Sequence, residues 1–79
     1  SPFVQEQAKA LAARKEVADA KGDAKVAALY RVALGRDPTK AEADLAKEFV
    51  ADDDSKGAFG RWPQLAQVLL LSNEFAFVD

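Results

Sequence analysis

Asp23-Ala24-Lys25-Val26-Ala27-Ala28-Leu29-Tyr30-Arg31-Val32-Ala33-Leu34-Gly35 is the stretch on which the fold turns. Val26, Leu29, Tyr30, Ala33 and Leu34 recur at i, i+3, i+4, i+7 and i+8, which places them on one continuous face of an α-helix. Asp23 is a candidate cap at its start, and Gly35 ends it, because a residue without Cβ turns left-handed at little cost. Past Arg36-Asp37-Pro38 comes Thr39-Lys40-Ala41-Glu42, the spacing of a capping box. The Thr39 hydroxyl can accept from the backbone N–H three residues on, while Glu42 reaches back to the Thr39 N–H. A further helix is expected from there, with Leu45, Ala46, Phe49 and Val50 inward and Lys40, Asp44, Lys47 and Glu48 mostly outward.

Working outward, the same arithmetic places two more helices. The N-terminal one is expected from about Pro2 to Ala20, with Ser1 as N-cap and proline in the first helical position. Val4, Ala8, Leu11 and Ala18 form its stripe, flanked by Phe3 and Val17. Its thin middle points to a frayed far end, and Gly22 supplies the stop. The last helix is expected to start near Trp62, with Pro63 in its first turn, and to run almost to the end. Leu65, Val68, Leu69, Ser72 and Ala76 make its best-defined stripe, with Phe75 close by. Leu71 and Val78 fall opposite, and Leu70 and Phe77 on a flank between. A helix apolar on most sides is either central or has a partner. Between the last two helices, Asp52 to Gly60 reads as a loop, since three aspartates would oppose the negative end of the preceding helix dipole. Phe59 is expected to tuck back onto the core.

Composition agrees with an all-α fold. Of 79 residues, 17 are alanine, while the β-branched residues are only seven valines and one threonine, which favours helix over strand. The bulky apolar set is 22 residues, enough for one small domain, residues 1–79, built as a compact bundle of four helices. A core of this size supports about 3–5 kcal/mol of net stability and leaves little room for an enclosed active site.

Several chemistries are excluded by residue type. The chain has no Cys, His or Met, so it holds no disulfide, no thiolate or imidazole metal site and no Cys- or His-based catalysis. Eleven basic and thirteen acidic residues, interspersed, give a net charge of −2, without the basic excess that phosphate neutralisation demands. The two central helices could pass for a helix-turn-helix, but the would-be recognition helix carries Glu42, Asp44 and Glu48, of the wrong sign for DNA. Asp52-Asp53-Asp54-Ser55-Lys56-Gly57 resembles the start of a calcium loop. The pattern then breaks, with Lys56 at the fifth-ligand position and Pro63 where a bidentate Glu belongs. The carboxylate pairs Glu42/Asp44 and Asp53/Asp54 lie on polar faces rather than in a desolvated cleft that could separate two pKa values. Trp62 reads as a helix anchor. Arg31 and Arg36 read as local ion-pairing groups at a helix end. The longest apolar run, Val68-Leu69-Leu70-Leu71, is too short to cross a bilayer. The chain opens at Ser1-Pro2-Phe3 without an initiator Met, and reads as a piece of a longer protein.

Three stretches carry a resemblance. They are Ser1 to Ala8, then Ala28-Leu29-Tyr30-Arg31 through Leu34-Gly35-Arg36-Asp37-Pro38-Thr39, and Leu65 to Leu71 followed by Ser72-Asn73-Glu74-Phe75. In this order and spacing, over nearly the whole chain, they resemble the C-terminal region of planctomycete surface or secreted proteins that join a cytochrome c domain to domains of unknown function. The shorter pattern Leu-Tyr…Leu-Gly-Arg-x-Pro…Ser-x-Glu-Phe is also similar to helical modules of bacterial surface proteins and phycobilisome linkers, which are binding or scaffold units. The first resemblance implies an exported or cell-surface parent, because a cytochrome c domain receives its haem outside the cytoplasm. It implies no catalytic residue and no cofactor at these positions, and no Cys-x-x-Cys-His occurs here.

The expected function is therefore that of a non-catalytic helical module with a structural or docking role, not an enzyme in its own right. The expected partners are the rest of a parent protein or another protein, with weak self-association of the isolated chain and neither nucleic acid nor a membrane span. The candidate docking surface is Leu70, Leu71, Phe77 and Val78. Tyr30, Arg36, Thr39, Glu42, Trp62 and Phe75 are the expected structural residues. Two alternatives stand beside this reading: helices that complete the active site of a separate catalytic domain, and a module that binds a glycan or a metal.

Overall fold

The computed structural model describes residues 2–51 and 60–78, with side chains through residue 72. Five helices follow in order: α1 (Pro2–Ala13), α2 (Lys15–Ala18), α3 (Gly22–Leu34), α4 (Lys40–Ala51) and α5 (Arg61–Val78). Among the described residues there is no strand. The protein is an all-α bundle of four long helices, as the sequence predicts, with the single turn α2 added between α1 and α3. The calcium-like run and Phe59 lie outside the described residues.

Helix α3 is the centre. Val26, Leu29 and Tyr30 are buried, together with Ala28 and Ala33, and Leu34 is half-buried beside them. Gly35 closes the helix at φ 74°, and its N–H donates to the Arg31 carbonyl at 2.9 Å. A left-handed residue at that position satisfies a carbonyl that would otherwise be orphaned. Helix α5 packs most extensively on α1 and also lies against α3 and α4, while α3 contacts every other helix.

Three local expectations are corrected. The N-terminal helix does not run unbroken from Pro2 to Ala20. It stops at Ala13, and Arg14 takes the extended backbone φ −59°, ψ 142° before α2 begins. The cause is tertiary: Ala8 of α1 and Val17 of α2 are both fully buried, and the bend lets both reach the core. Gly22, expected to stop that helix, instead opens α3 at φ 58°. Asp23 makes no cap. It sits inside the first turn of α3, where a carboxylate suits the positive helix end, and pairs with Lys47 of α4 at 3.1 Å.

Eleven buried apolar residues form the core cluster among the described residues, and five of them are alanines: Ala8, Ala28, Ala33, Ala46 and Ala66. Small side chains allow the helices to approach closely. That is how α5 takes its place. Its buried residues are Leu65, Ala66 and Leu69, with Trp62 and Leu70 half-buried against the cluster. This stripe is rotated from the expected one, which put Val68 and Ser72 inside; Val68 is 54% exposed and Ser72 is exposed.

Candidate docking groove and the clasp beside it

The turn between α3 and α4 is built from charge and capping. Glu42 N–H donates to the Thr39 Oγ1 at 3.1 Å, and Thr39 N–H donates to Glu42 Oε1 at 2.9 Å. Both bonds of the capping box are therefore present. Arg36 adds a two-pronged grip on the same carboxylate, Nη1 to Oε1 at 2.8 Å and Nη2 to Oε2 at 2.9 Å. A planar guanidinium matches a carboxylate in this way and fixes geometry as well as charge. The Arg36 hydrogen bonds foremost, and then the Thr39 N–H, hold the Glu42 carboxyl well below the usual range, at about 2. Arg36 also lies 6.0 Å from the Tyr30 ring centroid and donates to the Asp37 carbonyl. Arg31 pairs with Asp37 across the same turn. Burial, and then the nearby Glu42 charge, push the Tyr30 phenol upward.

Next to this clasp, α4 and α5 leave an open groove of about 310 Å³. It is lined by Leu45, Ala46 and Phe49 from α4 and by Leu65, Val68 and Leu69 from α5, with Tyr30 and Glu42 as its polar contributors. Leu45 is 68% exposed and Val68 is 54% exposed, and Leu71, one turn past Val68, is 42% exposed. Arg61 lies 4.7 Å from the Phe49 ring centroid. From α3, Lys25 Nζ stands 4.9 Å from the Trp62 ring centroid. Trp62 is thus half-buried against the core as an anchor, with a cation over its face.

The candidate surface named from sequence is only partly where it was expected. Leu70 is half-buried against the core rather than free on a flank, and Leu71 is exposed. Phe75, Phe77 and Val78 belong to α5, but their side chains lie outside the described residues. Tyr30, Arg36, Thr39 and Glu42 come together at the clasp; Trp62 stands apart from it. Leu45, expected inside, is the residue that sequence reasoning missed. Spacing alone gave no signal of this: only the packing shows that Ala46 is the buried position of α4, with the preceding residue about 100° round the helix from it.

Among the described residues no group of three or more metal-binding side chains comes together, and no helix is long and apolar enough to cross a membrane. The chain matches no protein-family model, no curated protein and no solved structure.

Proposed function

We propose that this chain is a non-catalytic helical module of a larger exported protein, and that it docks through the α4–α5 groove onto the rest of that protein. One observation carries the reading. Of the four large apolar side chains exposed among the described residues, Leu45, Val68 and Leu71 all sit on α4 and α5 at or beside one groove. Leaving such residues in water forfeits about 1.5–3 kcal/mol for each large side chain. A covering partner recovers that energy. Export rests on the family resemblance alone.

The lining favours docking over a glycan site. Its polar members are Tyr30 and a Glu42 carboxylate already held by Arg36 and Thr39, while the remaining six residues are apolar. A sugar presents hydroxyls on every edge and needs more hydrogen-bonding partners than this.

The test is the double variant Leu45→Lys, Val68→Lys, assayed for binding to the remainder of the parent protein supplied in trans. Both positions are exposed, so helicity and melting temperature should stay close to wild type while binding falls at least tenfold. Unchanged binding by the folded variant would remove the groove from consideration as the docking surface.

A further inference from the structure

Nothing in the chemistry of residues 3–18 breaks a helix. The stretch contains no glycine or proline, and Arg14 itself is a strong helix former. Yet the helical ladder stops there. Arg14 N–H reaches only the Leu11 carbonyl, at 3.2 Å, and the N–H groups of Val17 and Ala18 both donate to the Arg14 carbonyl. Local preference favours a straight rod from Pro2 to Ala18, and tertiary packing favours a bent one. Helix α1 makes the most extensive helix contact of the fold, against α5, yet it buries only Ala8 fully, with Val4 and Leu11 half-buried and Phe3 69% exposed.

We propose that residues 2–18 are a two-state strap. In the monomer the strap is bent at Arg14, with α1 on its own α5. In a domain-swapped dimer it straightens into one continuous helix, and α1 of each copy lies on α5 of the other. The bent form is what lets Ala8 and Val17 be buried within one chain. Straightening restores the helical bonds across Arg14 but lifts α1 away, uncovering the face of α5 that it had covered. The surface that fits that face is α1 of a second copy, identical in sequence to the segment that left. No new complementarity has to be invented, and concentration alone selects between the states. This exchange does not involve the α4–α5 groove.

Lys15→Pro separates the two states. Residue 15 is the first helical position of α2, where a proline is accepted, and a following proline holds Arg14 in the extended region it already occupies. In a continuous helix the same ring would collide with the Leu11 carbonyl, four residues back. The 79-residue chain is refolded at millimolar concentration and its species separated by size-exclusion chromatography with light scattering. Wild type is expected to yield dimer alongside monomer, and Lys15→Pro to reduce the dimer–monomer equilibrium constant by roughly a hundredfold or more. Arg14→Ala, which removes the guanidinium pairing with Glu16 and leaves the best helix former at the bend, is expected to raise dimer severalfold. The Leu45→Lys, Val68→Lys chain should dimerise like wild type. The proposal fails if wild type stays monomeric under these conditions, or if Lys15→Pro dimerises equally well. It fails equally if the groove variant abolishes the dimer, since association would then run through α4 and α5. A Lys15→Pro chain that does not fold would overturn the bent geometry itself.

Discussion

The guanidinium of Arg36 meets the carboxylate of Glu42 with both terminal nitrogens, at 2.8 and 2.9 Å, so that the residue just past the end of α3 fastens the first turn of α4. The same carboxylate closes the capping box with Thr39. Fixing one short turn thus sets the relation of the two helices that flank it.

Acid should release this clasp. The Glu42 carboxyl lies at about 2 in the folded protein against an ordinary 4.5, so its contribution to stability is fully present above pH 4.5 and is lost as pH falls toward 2. Glu42→Gln is expected to be less stable than wild type at pH 6, with the gap closing between pH 4.5 and 2. Urea midpoints measured across that range check it. A gap independent of pH would show that the carboxylate charge is not what matters.

Thr39→Ala removes the acceptor for the Glu42 N–H and leaves Arg36–Glu42 in place. The expected cost is about 1 kcal/mol, read as a lower denaturant midpoint with an unchanged slope. No shift in the midpoint would mean that water replaces the hydroxyl at no cost.

Two leucines should behave in opposite ways. Leu29 is fully buried in α3, so Leu29→Ala is expected to cost about 2–5 kcal/mol and leave little folded protein, as seen in the loss of the helical circular dichroism spectrum. Leu45 is 68% exposed, and Leu45→Ala should stay within about 0.5 kcal/mol of wild type. Comparable losses at the two positions would place Leu45 in the core after all.

At Gly35, φ is 74° and nothing lies within 4 Å of where a Cβ would stand. Gly35→Ala therefore meets no clash, only the left-handed backbone, and should cost about 1–2 kcal/mol. Gly35→Asn should cost less, because asparagine tolerates this region. Thermal melts of the two variants give the comparison.

The features legible in sequence were those decided within one turn of chain. The apolar face of α3 around Leu29, the Gly35 stop, the Thr39–Glu42 box and the start of α5 at Trp62 all depend on local spacing. The misreadings were decided by neighbours. Arg14 carries no breaker, and only the joint burial of Ala8 and Val17 bends the chain there. Asp23 has the chemistry of a cap but meets Lys47 from another helix. On α5, reading by bulk put Val68 inside, whereas the closely packed α1 and α5 each bury an alanine, Ala8 and Ala66. The exposed apolar surface shifted with it: Leu70 of α5 lies inward, and Leu45 of α4 and Val68 of α5 line the groove.

Alanine supplies nearly half of the buried cluster among the described residues, and this has a thermal consequence. An alanine side chain has no rotamer to freeze, so ordering it costs no side-chain entropy. It also takes little hydrocarbon out of water, and hydrated hydrocarbon is what gives unfolding its large heat capacity. Scanning calorimetry is expected to give an increment below the common ~12–15 cal/mol/K per residue. A smaller increment flattens the curve of stability against temperature. The bundle should then hold a modest stability over a wide span of temperature, rather than a high one over a narrow span.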